Sequence, residues 1–116
     1  MNITDTTVQL LTITDVPGLD TIRVYLEDYE PGRGRITISC YGRAWTAYWG
    51  GMYQATLKQF VPSCGADYIR DNLVRGMEQR MARTLKAENA YLLRVVEAVQ
   101  EALRRQLRFE LHGVYE

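Results

Sequence analysis

The chain has 116 residues, 47% hydrophobic and 24% charged, with fourteen basic residues against fourteen acidic ones. This composition excludes a disordered chain, and the even balance supplies no general pull toward nucleic acid or an anionic membrane. A chain of this size buries roughly two-thirds of its unfolded surface, so a single domain holds together without metal or disulfide, and charge repulsion does little to oppose self-association.

The opening MNITDTTVQL has no basic start and no long apolar run, so no signal peptide is expected. Nor does any stretch approach the roughly 18 apolar residues of a membrane helix. The first fifty residues then read as strands. Val8–Thr14 is short and β-rich. Ile22, Val24 and Leu26 alternate with Arg23, Tyr25 and Glu27, the period of a half-buried strand. Ile36, Ile38 and Cys40 repeat that pattern. DVPGLD (15–20) and EPGRG (30–34) are turn signals through their Pro-Gly steps. RAWTAYW adds a fourth strand, with Trp45, Ala47 and Trp49 on one face, Tyr48 on the other, and Gly50-Gly51 as its stop.

Helices follow. Short ones are expected within residues 54–75: one over Ala55–Val61, stopped by Pro62, and one capped by Ser63 with Asp67 in its first turn. The second carries Ile69, Leu73 and Val74 and ends at Gly76. Residues 77–108 contain neither glycine nor proline. Met77, Met81, Leu85, Leu92, Val95, Val96, Val99, Leu103 and Leu107 fall on one stripe there at 100° per residue. Residues 109–116 are an edge strand or a loose end. The order predicts an α+β fold: a three- to four-stranded antiparallel meander packed against C-terminal helices, the last one long, in a single domain spanning 1–116.

RITISCYGRAWTAYWGGM followed by TLKQFVPSCGADYI resembles a family of small uncharacterised proteins of enterobacterial phages and prophages. The likeness falls on Gly42, Trp45, Tyr48, Trp49, Gly50, Met52, Thr56, Phe60, Asp67, Tyr68 and Ile69, within residues 34–73. It implies phage origin and a host-cytoplasmic location, and it implies no reaction.

Several features bear on chemistry. The thiols of Cys40 and Cys64 are expected to be free, in a reducing compartment. With His112 they have no zinc-ligand spacing, so no metal and no cofactor is expected. Cys64 near a helix N-terminus, with Asp67 and His112, makes no nucleophile motif. YEPGRG lacks the end of a phosphate loop, and Glu27, Asp28 and Glu30 sit at a turn, where charges are ordinary. No catalytic residue is assigned. Tyr41, Trp45, Tyr48 and Trp49 are either the centre of the core or an exposed patch for a partner. A base-stacking platform needs a basic groove beside them, and only Arg43 and Arg35 are local.

A helix from Met77 to Leu107 would measure about 45 Å at 1.5 Å per residue, against a diameter of about 35 Å for a round domain of this length. The rod must then overhang or break. Its apolar end, Val95, Val96, Val99, Leu103 and Leu107, is the candidate dimer interface. Glu88, within the stripe, is either a rim residue or a cross-chain partner for an arginine. From Arg70 to Arg108 there are nine basic and five acidic residues, so Arg80, Arg83, Arg94, Arg104, Arg105 and Arg108 are candidate phosphate contacts, with a solvated helix face as the plainer reading. The sequence is read as a phage accessory protein that binds a host or phage macromolecule without catalysis, as a homodimer. The alternative is a nucleic-acid-binding regulator using the basic helix face.

Overall fold

The alternating segments become four strands, β1 (Gln9–Ile13), β2 (Ile22–Glu30), β3 (Arg33–Cys40) and β4 (Arg43–Trp49). The structure, a computed structural model, describes residues 1–75 and 82–112, the side chains of residues 82–87 and 112 excepted. The strands pair antiparallel in the order β1-β2-β3-β4. Val24 lies opposite Ile38, and Ile38 opposite Trp45. This register puts Ile22, Val24, Leu26, Ile36, Ile38, Cys40, Trp45, Ala47 and Trp49 on one buried face.

Two turns fix that register. Between β3 and β4, Tyr41 and Gly42 both have positive φ (53° and 72°), the mirror-image turn that matches the twist of the strands. Between β2 and β3, Pro31 presets the first turn position and Gly32 takes φ 86° at the second. The Gly32 N–H donates to the Ala55 carbonyl at 3.0 Å, and the Gly32 carbonyl accepts from the Met52 N–H at 2.8 Å. A β-carbon on Gly32 would overlap the Tyr53 carbonyl. The hairpin tip is thereby sewn to the segment that leads into the helices.

Three helices cover the buried face: α1 (Leu57–Ser63), α2 (Ala66–Val74) and α3 (Ala82–His112). Two expectations shift here. Pro62 lies inside the last turn of α1 and does not stop it at Val61. Its N-cap is Thr56, whose hydroxyl accepts from the Gln59 N–H while the Gln59 side chain accepts from the Thr56 N–H, a capping box. Ser63 does not cap α2; its hydroxyl turns back to the Phe60 carbonyl at 2.6 Å, and Gly65 holds the N-cap position. Asp67 is in the first turn as expected, and the helix ends at Val74.

The long helix runs unbroken through residues 109–112, so the edge-strand reading of this part of the tail is wrong. Its stripe is core: Leu92, Val95, Val96, Val99 and Leu103 are at most 1% exposed within one chain, and Leu107 is half-buried. A round body would force an overhang. The molecule is instead flat, 44 × 42 × 25 Å; a helix of 31 residues, about 46 Å long, spans its full width and buries Leu92 to Leu103 against its own chain, with Phe109 and Leu111 exposed near its end. Gly76, Met77, Arg80, Met81 and residues 113–116 lie outside the described residues, as do the side chains of Arg83, Leu85, Lys86 and His112. No helix among the described residues is long and apolar enough to cross a membrane.

One polar side chain sits in the middle of the stripe. Gln100 is 3% exposed. Its amide nitrogen donates to the carbonyls of Val61 (3.1 Å) and Cys64 (2.8 Å); the first also accepts the Cys64 N–H at the end of α1, whereas the second lies past the helix end. Arg104, one turn on, donates to the Pro62 carbonyl at 3.1 Å. Lys58, 8% exposed on α1, reaches Glu110 at 2.6 Å and Gln106 at 3.3 Å. Gln100→Leu keeps the apolar fit, strands the Cys64 carbonyl and leaves that of Val61 with the Cys64 N–H alone. The expected cost is roughly 1–3 kcal/mol, seen as a lower urea midpoint at unchanged slope. Gly32→Ala forces an unfavourable φ and a backbone clash together, and should cost at least about 2 kcal/mol in the same assay.

Candidate functional site

With every helix on one side, the other side of the sheet is left to solvent. The residues that alternate with the core line it: Arg23, Tyr25, Glu27 and Tyr29 on β2, Arg33, Arg35, Thr37 and Ser39 on β3, and Thr46 and Tyr48 on β4. Arg35 lies between Glu27 and Tyr48 in register, so cross-strand neighbours meet directly.

At the β2–β3 hairpin end these side chains form an ordered cluster. The Tyr29 and Tyr48 rings lie 6.3 Å apart, tilted by 41°. The Arg33 guanidinium sits 5.0 Å from the Tyr29 ring centre, and that of Arg35 5.6 Å from the Tyr48 ring centre, both within cation–π range. Arg35 donates to the Thr46 hydroxyl (3.2 Å), as does Thr37 (3.3 Å), and Thr46 donates to the Ile36 carbonyl (3.1 Å). Arg33 donates to Glu30 at 3.1 Å, and the Tyr29 hydroxyl donates to Glu27 at 3.3 Å. The Tyr48 hydroxyl, then the Glu30 carboxylate, hold the Arg33 proton more firmly than usual. Tyr29 and Tyr48 are each 44% exposed. Flat apolar rings thus stand in solvent in fixed positions, with paired charges around them.

The four aromatic candidates therefore separate. Trp45 and Trp49 are core residues, not a patch. The Trp49 indole donates to the Tyr68 hydroxyl at 3.1 Å and packs 5.5 Å from the Phe60 ring centre. Tyr48 stands on the open face. Tyr41 is exposed at the opposite end of β3, against a cavity it shares with Gly18, Leu19, Asp20 and Tyr91. Sequence reasoning missed Tyr29 and Arg33 and noted Arg35 only as a charge near the aromatic segment; the pairing of Arg35 with Tyr48 follows only once the hairpin register is known.

The candidate dimer residues Val95, Val96, Val99 and Leu103 offer no surface, because the sheet and the short helices of the same chain cover them. Glu88 pairs with Arg43 of its own chain, so no second chain has to supply an arginine. The described candidate phosphate contacts all have partners. Arg94 donates to the Pro17 carbonyl at 2.9 Å, and Arg104, Arg105 and Arg108 converge on Glu101 at 3.7, 3.3 and 3.2 Å. Burial pushes the Glu101 carboxyl up, but hydrogen bonds from Arg108 and Arg105 outweigh it and leave it below the ordinary range.

The thiols are no better placed for chemistry. Burial raises the Cys64 thiol, only partly offset by Ser63, and its Sγ bonds the Phe60 carbonyl at 3.4 Å. Asp28 accepts the Leu57 N–H at 2.8 Å and so caps α1. Among the described residues no group of three or more metal-ligating side chains converges. Cys40 Sγ lies 3.1 Å from the Tyr91 hydroxyl. That hydrogen bond, with burial second, pushes the Tyr91 phenol up to about 12. The folded state therefore holds this proton more tightly than an unfolded tyrosine at about 10. The resulting stability is present in full below about pH 10 and is lost as pH rises through about 12. Urea midpoints of wild type and Tyr91→Phe, followed from neutral to strongly alkaline pH, should converge over that interval.

No curated protein and no solved structure matches the chain. A family model described as a phage family matches residues 1–87, a span that holds the whole sheet, α1 and α2. It includes the Trp…Tyr-Trp-Gly segment, whose tryptophans build the core and whose tyrosine stands on the open face. The chain belongs to this family of phage proteins.

Proposed function

We propose that this protein is a non-catalytic phage accessory protein that acts in the host cytoplasm and binds a protein partner through the Tyr29–Arg33–Arg35–Tyr48 face. The observation that carries this reading is the fixed, half-exposed ring pair with guanidinium groups over it. Tyrosine and arginine are the residue types most enriched at binding hot spots. Side chains already held in place lose little further freedom on binding. Charge favours a protein over a nucleic acid: Glu27 and Glu30 lie among the arginines of the face, whereas a phosphate backbone calls for a positive surplus. The helix arginines, the alternative surface, serve the Pro17 and Pro62 carbonyls and Glu101.

The test is capture from extract of infected host cells. The double variant Tyr29→Ala/Tyr48→Ala removes two outward side chains and leaves the core face intact. It should lose at least about tenfold of the binding to the protein that wild type retains, as expected for two residues each worth 1–2 kcal/mol. Full retention by a folded double variant rules out this face. Capture that nuclease abolishes and that falls steeply with salt replaces the reading with the nucleic-acid one.

A further inference from the structure

Tyr41 is a costly choice for its place. It takes the first position of the β3–β4 turn at φ 53°, a left-handed conformation that suits asparagine, aspartate or glycine and strains a bulky side chain. Nothing in the fold offsets that strain. The residue is 74% exposed, and among the described residues its side chain has neither a hydrogen bond nor a ring contact. Strain that the fold itself does not use marks a functional position.

The Tyr41 side borders a cavity of about 380 Å³ whose other walls are Gly18, Leu19, Asp20 and Tyr91. That size is at the small end of ligand sites. Tyr91 is held in place by its hydroxyl, 3.1 Å from Cys40 Sγ, while the same thiol donates to the Asp20 carbonyl at 3.6 Å. The Asp20 carboxylate is exposed, and among the described residues it has no hydrogen bond and no ion pair. No cation belongs to the lining. Two stand close by, and both are engaged. Arg43 pairs with Glu88, and Arg94 lies against Gly18 and donates to the Pro17 carbonyl at 2.9 Å.

We propose that this cavity binds a guanidinium group, stacked against the tyrosine rings with its N–H fork on the Asp20 carboxylate. Aromatic faces and a bare carboxylate both attract positive charge. A guanidinium meets both at once, because it is planar enough to stack and forked enough to bond two carboxylate oxygens. An ammonium is a point charge without that geometry. An anion finds no cation in the lining, and a neutral ring leaves the carboxylate without a counter-charge. The group arrives on a small molecule such as free arginine or on an arginine side chain of a partner protein; the recognition chemistry is the same. The cavity lies at the other end of β3 from the Tyr29–Tyr48 cluster and does not depend on it.

The test is titration of the intact chain with N-acetylarginine amide, whose only charge is the guanidinium, followed by NMR beside its citrulline and lysine counterparts. The arginine compound should saturate in the millimolar range and move the amides of residues 18–20 and 41–42. Citrulline, the same shape without the charge, should bind at least about tenfold more weakly, and lysine should also bind more weakly than arginine. Asp20→Asn should lower the affinity for arginine at least about tenfold. Tyr41→Asn separates function from folding. Asparagine suits the left-handed turn, so the urea midpoint should rise while the affinity falls about threefold. A short peptide with a central arginine that binds more tightly than the amide assigns the group to a partner protein; equal affinity assigns it to a small molecule. The proposal is overturned if citrulline or lysine binds as well as arginine, if the shifts do not saturate or fall outside the cavity, or if either variant keeps full affinity.

Discussion

A helix of seven residues is nearly all ends. Four N–H groups at one end and four carbonyls at the other find no partner within an α-helix, and α1 has only Leu57–Ser63 between them. The rest of the fold supplies what it lacks. Thr56 and Gln59 close its first turn, and Asp28 reaches across from β2 to the Leu57 N–H. Gln100 and Arg104 reach from α3 to the carbonyls at its far end. These bonds tie the β2–β3 hairpin to the long helix through one short element. They fix how deep α3 lies, because Gln100 can serve both carbonyls only if Val96, Val99 and Leu103 are pressed into the core beside it. Lys58 adds a buried hold on Glu110, near the point where the helix extends through residues 109–112.

The same constraint positions the open face. The clamp between Gly32 and the 52–55 segment sets the tip of the hairpin, and the tip sets the register of β3 against β2 and β4. In that register Arg35 falls opposite Tyr48, with Glu27 on its other side. A slip of one residue would send Tyr48 inward and Trp49 outward. Trp49 resists this: its indole bonds Tyr68, and its ring packs on Phe60. The buried tryptophans and the exposed tyrosine are thus two results of one alternation, which is how an aromatic run can be both core and surface.

The sheet was legible because alternation at period 2 and Pro-Gly turns act locally. Ile22, Val24, Leu26, Ile36 and Ile38 declare a half-buried meander with no tertiary information, and the structure shows the α+β fold with four strands and a long last helix. The α3 stripe was also legible, but not what covers it, since a hydrophobic period says that a face is buried and not by which chain. Treating the body as a sphere turned that gap into an overhang; the plate measures 44 × 42 × 25 Å. The helix boundaries moved for a different reason. Thr56, Gln59 and Pro62 contain the signals of a capping box and a proline-bearing last turn, yet the partners that let Pro62 stay inside α1 lie some forty residues away at Gln100 and Arg104. Long-range satisfaction of that kind leaves no short-range trace. The open-face cluster was half-visible: Tyr48 followed from strand parity, while its arginines needed the register.

Charge gives the last step. The even count of acids and bases in the sequence looks uninformative, but the structure distributes it unevenly. Four helix arginines have acceptors within the chain: Arg94 holds the β1–β2 loop, and Arg104, Arg105 and Arg108 gather on Glu101, with Arg104 also bonding α1. The open face keeps near-balance, so nothing there draws a polyanion from a distance. What it offers instead is area at short range: two tyrosine rings whose orientation is already held by guanidinium contacts and a threonine hydrogen-bond chain. Such a surface discriminates by shape and by the geometry of its few donors, and it loses little entropy on engagement. Long-range attraction is weak and local order is strong, and the proposed protein-binding role rests on that combination.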